Sequence, residues 1–185
     1  KGQGGGRSLI LNGHIDEVPP EPLSEWTNSP WAAVVRDNRL YGRGALDMKG
    51  GVSAMFFALK AVLAAGIKLK GEVILETVVE EELGGSGGTL ACRIHGVTAD
   101  AMVTPECSQQ RIWISHPGIK YFRVRVLGRP THAALSHEGV NAIVKMVPII
   151  TALDRLDRER AGRLSYPLLS RDTGRSCNLS LGKML

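Results

Sequence analysis

His14 and Asp16, Glu81 and Glu82, and Glu106 each stand where an apolar run gives way to a polar loop. The runs are residues 8–11, 73–79 and 101–103. Asp47 is different: it is the one carboxylate in Gly42-Arg43-Gly44-Ala45-Leu46-Asp47-Met48-Lys49-Gly50-Gly51. Glycines there permit tight turns and close approach to a ligand. Carboxylates and an imidazole gathered at one place cannot all stay charged uncompensated, because like charges force protonation. A divalent metal resolves this. A bridging carboxylate holds two metals about 3.5–4 Å apart, and zinc accepts His nitrogen and carboxylate oxygen at about 2.0–2.2 Å. Adjacent Glu81 and Glu82 do not easily ligate one ion together, which suggests one ligand and one general base. Asp16, two residues past His14, is placed to receive the other ring N–H and fix the tautomer. The plainer alternative is a set of solvated acidic loops, a surface histidine, and Asp47 as an ordinary helix N-cap.

The elements that must position these groups follow from periodicity. Residues 8–11 and 73–79, rich in branched side chains, read as buried strands, and 101–103 as a third. After Asp47, Val52, Met55, Phe56, Leu59, Val62 and Leu63 recur at the spacing of one buried helix face, ending near Gly66. A short helix is expected over 88–94. Residues 33–41 read as a hairpin turning on Asp37-Asn38. Alternating strands and helices imply an α/β fold with a parallel sheet and flanking helices. Ligands of such sheets bind outside the carboxyl ends of the strands, where His14, Glu81, Glu82 and Glu106 all fall.

Beyond Pro117 the pattern changes. Residues 119–127 alternate like an antiparallel strand with one wet face, 140–156 read as a helix, and 176–181 as a second alternating strand. The expected domains are 1–116, metal-binding and catalytic, and 117–185.

Composition excludes several classes. Of 185 residues, 43% are hydrophobic and 22% charged, as in globular proteins. Nothing approaches the roughly 20 consecutive apolar residues of a membrane span, and residues 1–7 lack the apolar core of a signal peptide. Cys92, Cys107 and Cys177 are dispersed, which suits a reducing, cytoplasmic setting. Residues 119–185 hold 12 basic against 5 acidic side chains. However, Arg155, Arg158, Arg160 and Arg163 interleave with Asp154, Asp157 and Glu159 as on a solvated helix face. An aromatic share of 5% is too thin for base stacking, so nucleic acid is not expected as a partner.

Four ordered motifs then resemble one superfamily: Gly13-His14-Ile15-Asp16-Glu17-Val18-Pro19, residues 42–50 around Asp47, Glu80-Glu81-Glu82-Leu83-Gly84-Gly85, and Gly128-Arg129-Pro130-Thr131-His132-Ala133. It is the zinc metallopeptidase group of acetylornithine deacetylase, succinyl-diaminopimelate desuccinylase, aminoacylase and carboxypeptidase G. The resemblance implies that His14 ligates one metal with Asp16 in support. Asp47 would bridge both metals, with a cis peptide to Met48. Glu81 would be the base, Glu82 a ligand of the second metal, and Glu106 a ligand of the first. Where this chain has Glu80-Glu81-Glu82 the family usually shows Asp-Glu-Glu, so a one-residue shift of roles stays open. His132 would lie in a smaller α+β, ferredoxin-like dimerisation domain and reach the site of the partner in a homodimer. His95, His116 and His137 match no motif position.

The implied cofactor is Zn2+, two per site, with Co2+ or Mn2+ as substitutes. The implied activity is removal of an acyl group from a small N-acyl amino acid. The alternatives are a dipeptidase or carboxypeptidase of the same superfamily, or a relative that has lost its metal. Family members are much longer and take a last histidine ligand from a C-terminal segment. The expectation is therefore an internal piece, both domains incomplete, that is inactive by itself.

Overall fold

A computed structural model describes residues 1–107 and 110–182. Two compact units divide the chain, Lys1–Ile112 and Trp113–Leu185.

The first unit is mixed α/β. Its elements are β1 (Leu9–His14), β2 (Val34–Arg36), β3 (Arg39–Tyr41), α1 (Gly50–Ala64), β4 (Val73–Val78), α2 (Thr89–Ile94) and β5 (Ala101–Val103). β1 is the central strand of a parallel sheet in the order β4-β1-β5. Its register pairs Asn12 with Glu76 and His14 with Val78 on one side, and Leu11 with Val103 on the other. All three strands therefore release their chains at the same edge. β2 and β3 form the expected hairpin. Asp37 and Asn38 both take positive φ, 51° and 58°, the geometry that matches the twist of two-residue hairpins.

Among the described residues, Ile10, Met48, Met55 and Val78 form the buried apolar core, each stabilising the unit by about 1.5–3 kcal/mol relative to exposure. α1 reaches the sheet over Gly13. A Cβ there would lie 2.9 Å from Val52 and 3.0–3.1 Å from the methyls of Met48 and Met55. Of the helix face expected to be buried, Met55 is covered, whereas Phe56 and Leu63 are exposed. Contact is concentrated where the glycine lets the helix come close, and the outer turns of α1 lie beyond it.

The second unit contains α3 (Ala142–Arg163) and α4 (Pro167–Thr173). The Asn141 side chain accepts from the amides of Ile143 and Val144 at 2.9 and 3.2 Å, satisfying donors that the first turn leaves free. α3 runs seven residues past the expected end. Its polar turns carry the i,i+4 pairs Asp154–Arg158 and Arg155–Glu159, which support a solvated helix. α4 was not expected; it starts at Pro167, an N1 position suited to proline, and ends at Gly174 with φ 74°.

The strands expected over 119–127 and 176–181 do not form among the described residues. An alternating segment becomes a strand only when a neighbour takes its amides, and residues 119–127 have none here. In the later segment the amide of Leu179 donates to the Asp157 carboxylate at 2.7 Å instead. An isolated antiparallel bridge joins Arg129 and Val140. Residues 183–185, read with the last strand, lie outside the described residues.

Candidate metal centre

His14 is the last residue of the central strand and is 1% exposed. Its Nδ1 lies 2.9 Å from the carbonyl oxygen of Asp16 and 3.4 Å from the Asp16 carboxylate. A carbonyl only accepts, so Nδ1 carries the proton and Nε2 is the nitrogen turned toward the acidic groups. Nε2 stands 2.9 Å from Asp47 Oδ1, 3.8 Å from Glu106 Oε1 and 4.0 Å from Glu81 Oε2.

Each carboxylate arrives by a different route. Asp47 belongs to the irregular turn Ala45–Lys49 before α1 and is followed by a cis peptide to Met48, as the resemblance implied. No side chain caps α1. The N-cap alternative for Asp47 therefore falls, and its carboxylate faces His14 instead. β4 stops at Val78, and Glu80 takes a left-handed φ of 62° that turns the chain into a single 3-10 turn, Glu81–Leu83. The Asp16 carboxylate accepts the backbone N–H of Glu81 at 3.3 Å and of Glu82 at 3.2 Å. Asp16 thus positions two elements at once, the imidazole and the Glu81–Glu82 turn. The Glu80 carboxylate accepts from the amide of Gly87 at 2.9 Å. Glu106 follows β5 by three residues, and its side chain is 26% exposed.

The gathered charge perturbs its members. Burial pushes Glu106 above the ordinary carboxylate range; Asp47 and Glu81 push the same way, and His14 pulls against them. Glu82 is raised by burial, then by Asp47 and Glu81, with His14 and the Val18 amide opposing. For His14, burial disfavours the charged ring, but Asp47, the Asp16 carbonyl, Glu106 and Glu81 together outweigh it and raise its pKa. Such a site favours added positive charge. Ligand atoms of His14, Asp47 and Glu82 all lie within 4.8 Å of one another. One imidazole nitrogen with carboxylate oxygens is a donor set that zinc accepts, so the residues present fit a divalent ion.

His132 lies in the second unit, exposed, at the start of the 3-10 segment Ala133–Glu138; its Nδ1 accepts from the Ala134 amide at 3.2 Å. His95, His116 and His137 are exposed as well.

Reasoning from sequence missed a buried polar network behind the site. Asn12 Nδ2 donates to Glu76 Oε2 at 2.6 Å and to Thr89 Oγ1 at 3.2 Å, and the Arg93 guanidinium pairs with the other Glu76 oxygen. It ties α2 to the two strands that lead to His14 and Glu81. The signal was a charged residue inside the apolar run of β4.

The profile described as Peptidase family M20/M25/M40 matches residues 10–156. N-formyl-4-amino-5-aminomethyl-2-methylpyrimidine deformylase of Bacillus subtilis is 36% identical over 169 residues, covering 86% of this chain and 39% of the relative. Succinyl-diaminopimelate desuccinylase of Gluconacetobacter diazotrophicus is 34% identical over 157 residues, covering 80% of this chain and 40% of the relative. The chain thus spans about two fifths of the length of these curated relatives. Among solved structures, an M20 family metallo-carboxypeptidase, Sso-CP2 of Sulfolobus solfataricus, is 32% identical with a TM-score of 0.47, covering 54% of this chain and 23% of that one.

Proposed function

The chain belongs to peptidase family M20/M25/M40, and we propose that the whole protein is a divalent-metal-dependent amidohydrolase that removes an acyl group from a small N-acyl amino acid or amine. The supporting observation is His14, with Nδ1 committed to the Asp16 carbonyl and Nε2 facing Asp47 beside Glu82 and Glu106. Two relatives that are named a deformylase and a desuccinylase favour acyl removal as the reaction class.

His14, Asp47, Glu82 and Glu106 would hold the metal, zinc in our reading, with Asp47 shared between two ions. When bound, the metal supplies Lewis acidity toward the amide carbonyl and toward water. The chain's own part is to move protons. Glu81 accepts the proton of the attacking water on its carboxylate and returns it to the leaving nitrogen. Asp16 holds both the His14 ring and the Glu81 amide, keeping base and ligands in fixed relation. His132 contacts substrate across a homodimer. Dispersed, unpaired Cys92, Cys107 and Cys177 suit a cytoplasmic enzyme.

The test uses the whole protein, with elemental analysis and a panel of N-formyl, N-acetyl and N-succinyl amino acids, a dipeptide and an aminopyrimidine formamide. Bound zinc, turnover of an N-acyl substrate, loss with a chelator and lower metal content in Asp47→Ala are expected. Full metal occupancy in Asp47→Ala, or chelator-insensitive turnover, refutes the assignment; turnover of the dipeptide alone moves it to the peptidase branch.

A further inference from the structure

We propose that Glu17 and Lys49 form a positioning pair that sets the Asp47 turn against His14 and so tunes the site's affinity for a divalent cation. This rests on the metal reading above. Glu17 follows His14 by three residues and Lys49 follows Asp47 by two. The Lys49 ammonium pairs with the Glu17 carboxylate, so one ion pair joins the segments that carry the two groups 2.9 Å apart at the centre of the site. Glu17 is only 10% exposed at its side chain, whereas Lys49 is 49% exposed. A carboxylate that deep needs its partner, while the ammonium can return to water.

The turn is built around this pair. Gly44 has φ +76°, and a Cβ there would fall 2.3 Å from Glu17 Oε1. Glycine is what lets the turn close over the carboxylate. The amide of Lys49 then donates to the Gly44 carbonyl at 2.9 Å, and the amide of Arg43 to the Pro30 carbonyl at 2.8 Å. One side of the Asp47 turn is thus tied to the hairpin region, and the other to the loop that leaves His14. Losing the second tie frees Asp47 Oδ1 to move relative to His14 Nε2, and coordination is sensitive to such displacements.

Charge and position are separable by substitution. Glu17→Gln removes a negative charge near the site and Lys49→Met a positive one, so the singles act oppositely on a bound cation through space. In the double variant the two charge effects cancel, and what remains is the missing tie. Lys49→Met leaves a buried carboxylate unpaired and lowers the thermal midpoint of the metal-free protein; the double variant removes that penalty and restores the midpoint.

The experiment measures zinc affinity of the whole protein by competition with a chelating dye, beside the thermal midpoint of each metal-free form. A double variant with wild-type midpoint and zinc affinity weaker by about 10–100-fold is the expected result. A double variant that binds zinc as tightly as wild type overturns the pair's role and leaves the metal reading intact. A wild-type protein that takes up no zinc overturns both.

Discussion

The carboxylate of Asp16 accepts the amides of both Glu81 and Glu82, at 3.3 and 3.2 Å, while its own carbonyl oxygen receives His14 Nδ1 at 2.9 Å. One residue therefore couples the strand end that supplies the imidazole to the turn that carries Glu81, the base we propose, and Glu82. The carbonyl contact survives any side-chain substitution, but the amide contacts do not.

Asp16→Ala is expected to release the Glu81–Glu82 turn while leaving the His14 tautomer in place. Loss of a supporting contact of this kind costs about 10–100-fold in metal affinity or activity. Turnover should fall further than zinc content, because Glu81, the base we propose, is displaced more than the imidazole. Equal losses of both, measured by elemental analysis and initial rates, would show that Asp16 acts through His14 alone.

Glu81 and Glu82 should separate cleanly. Glu81→Gln keeps a side chain of the same shape that cannot accept a proton, so zinc stays bound while turnover falls by roughly 10²–10⁴-fold. Glu82→Gln should instead lower zinc occupancy. Reversed phenotypes would move the roles by one residue along the Glu80-Glu81-Glu82 triplet.

A third prediction concerns pH. His14 has a pKa raised above 6.5, so the stability it contributes to the metal-free fold is fully present below 6.5 and is lost as pH rises through the raised value. Glu82 and Glu106 are raised above 4.5; the fold holds their protons more tightly than the unfolded chain does, and this too is lost with rising pH. All three act in one direction, so the chelated protein should lose stability from about pH 4.5 to above 6.5. Zinc competes with the same protons, and its stabilising increment should grow over that window. Asp100 and Asp157, whose pKa values lie below 3.8, contribute stability that is lost only under stronger acid. Thermal scans with and without zinc decide it; an increment that shrinks as pH rises contradicts the proton–metal competition.

What was legible in the sequence is what neighbours along the chain decide. Branched apolar runs gave β1, β4 and β5, and Asp37-Asn38 gave the hairpin turn. The apolar repeat after Gly50 gave α1, because backbone torsion preferences and side-chain period act over a few residues. Strand ends are local too, so the placement of His14, Glu81, Glu82 and Glu106 at one sheet edge followed from counting residues past each run. The alternation over 119–127 carried the same local signal and still gave no strand, since a strand exists only with a partner that accepts its hydrogen bonds.

The tertiary structure alone decided which side chains meet. Register places Asn12 opposite Glu76, 64 residues away, and the path of two loops brings Lys49 onto Glu17 and the Glu81 and Glu82 amides onto Asp16. Along the chain Asp47 could be read as a helix cap, and only the other acidic groups and the family resemblance turned the reading toward a metal ligand. The turn at Ala45–Lys49 settled it, because a carboxylate's partner depends on where the backbone carries it, and that path is set by contacts far away in sequence.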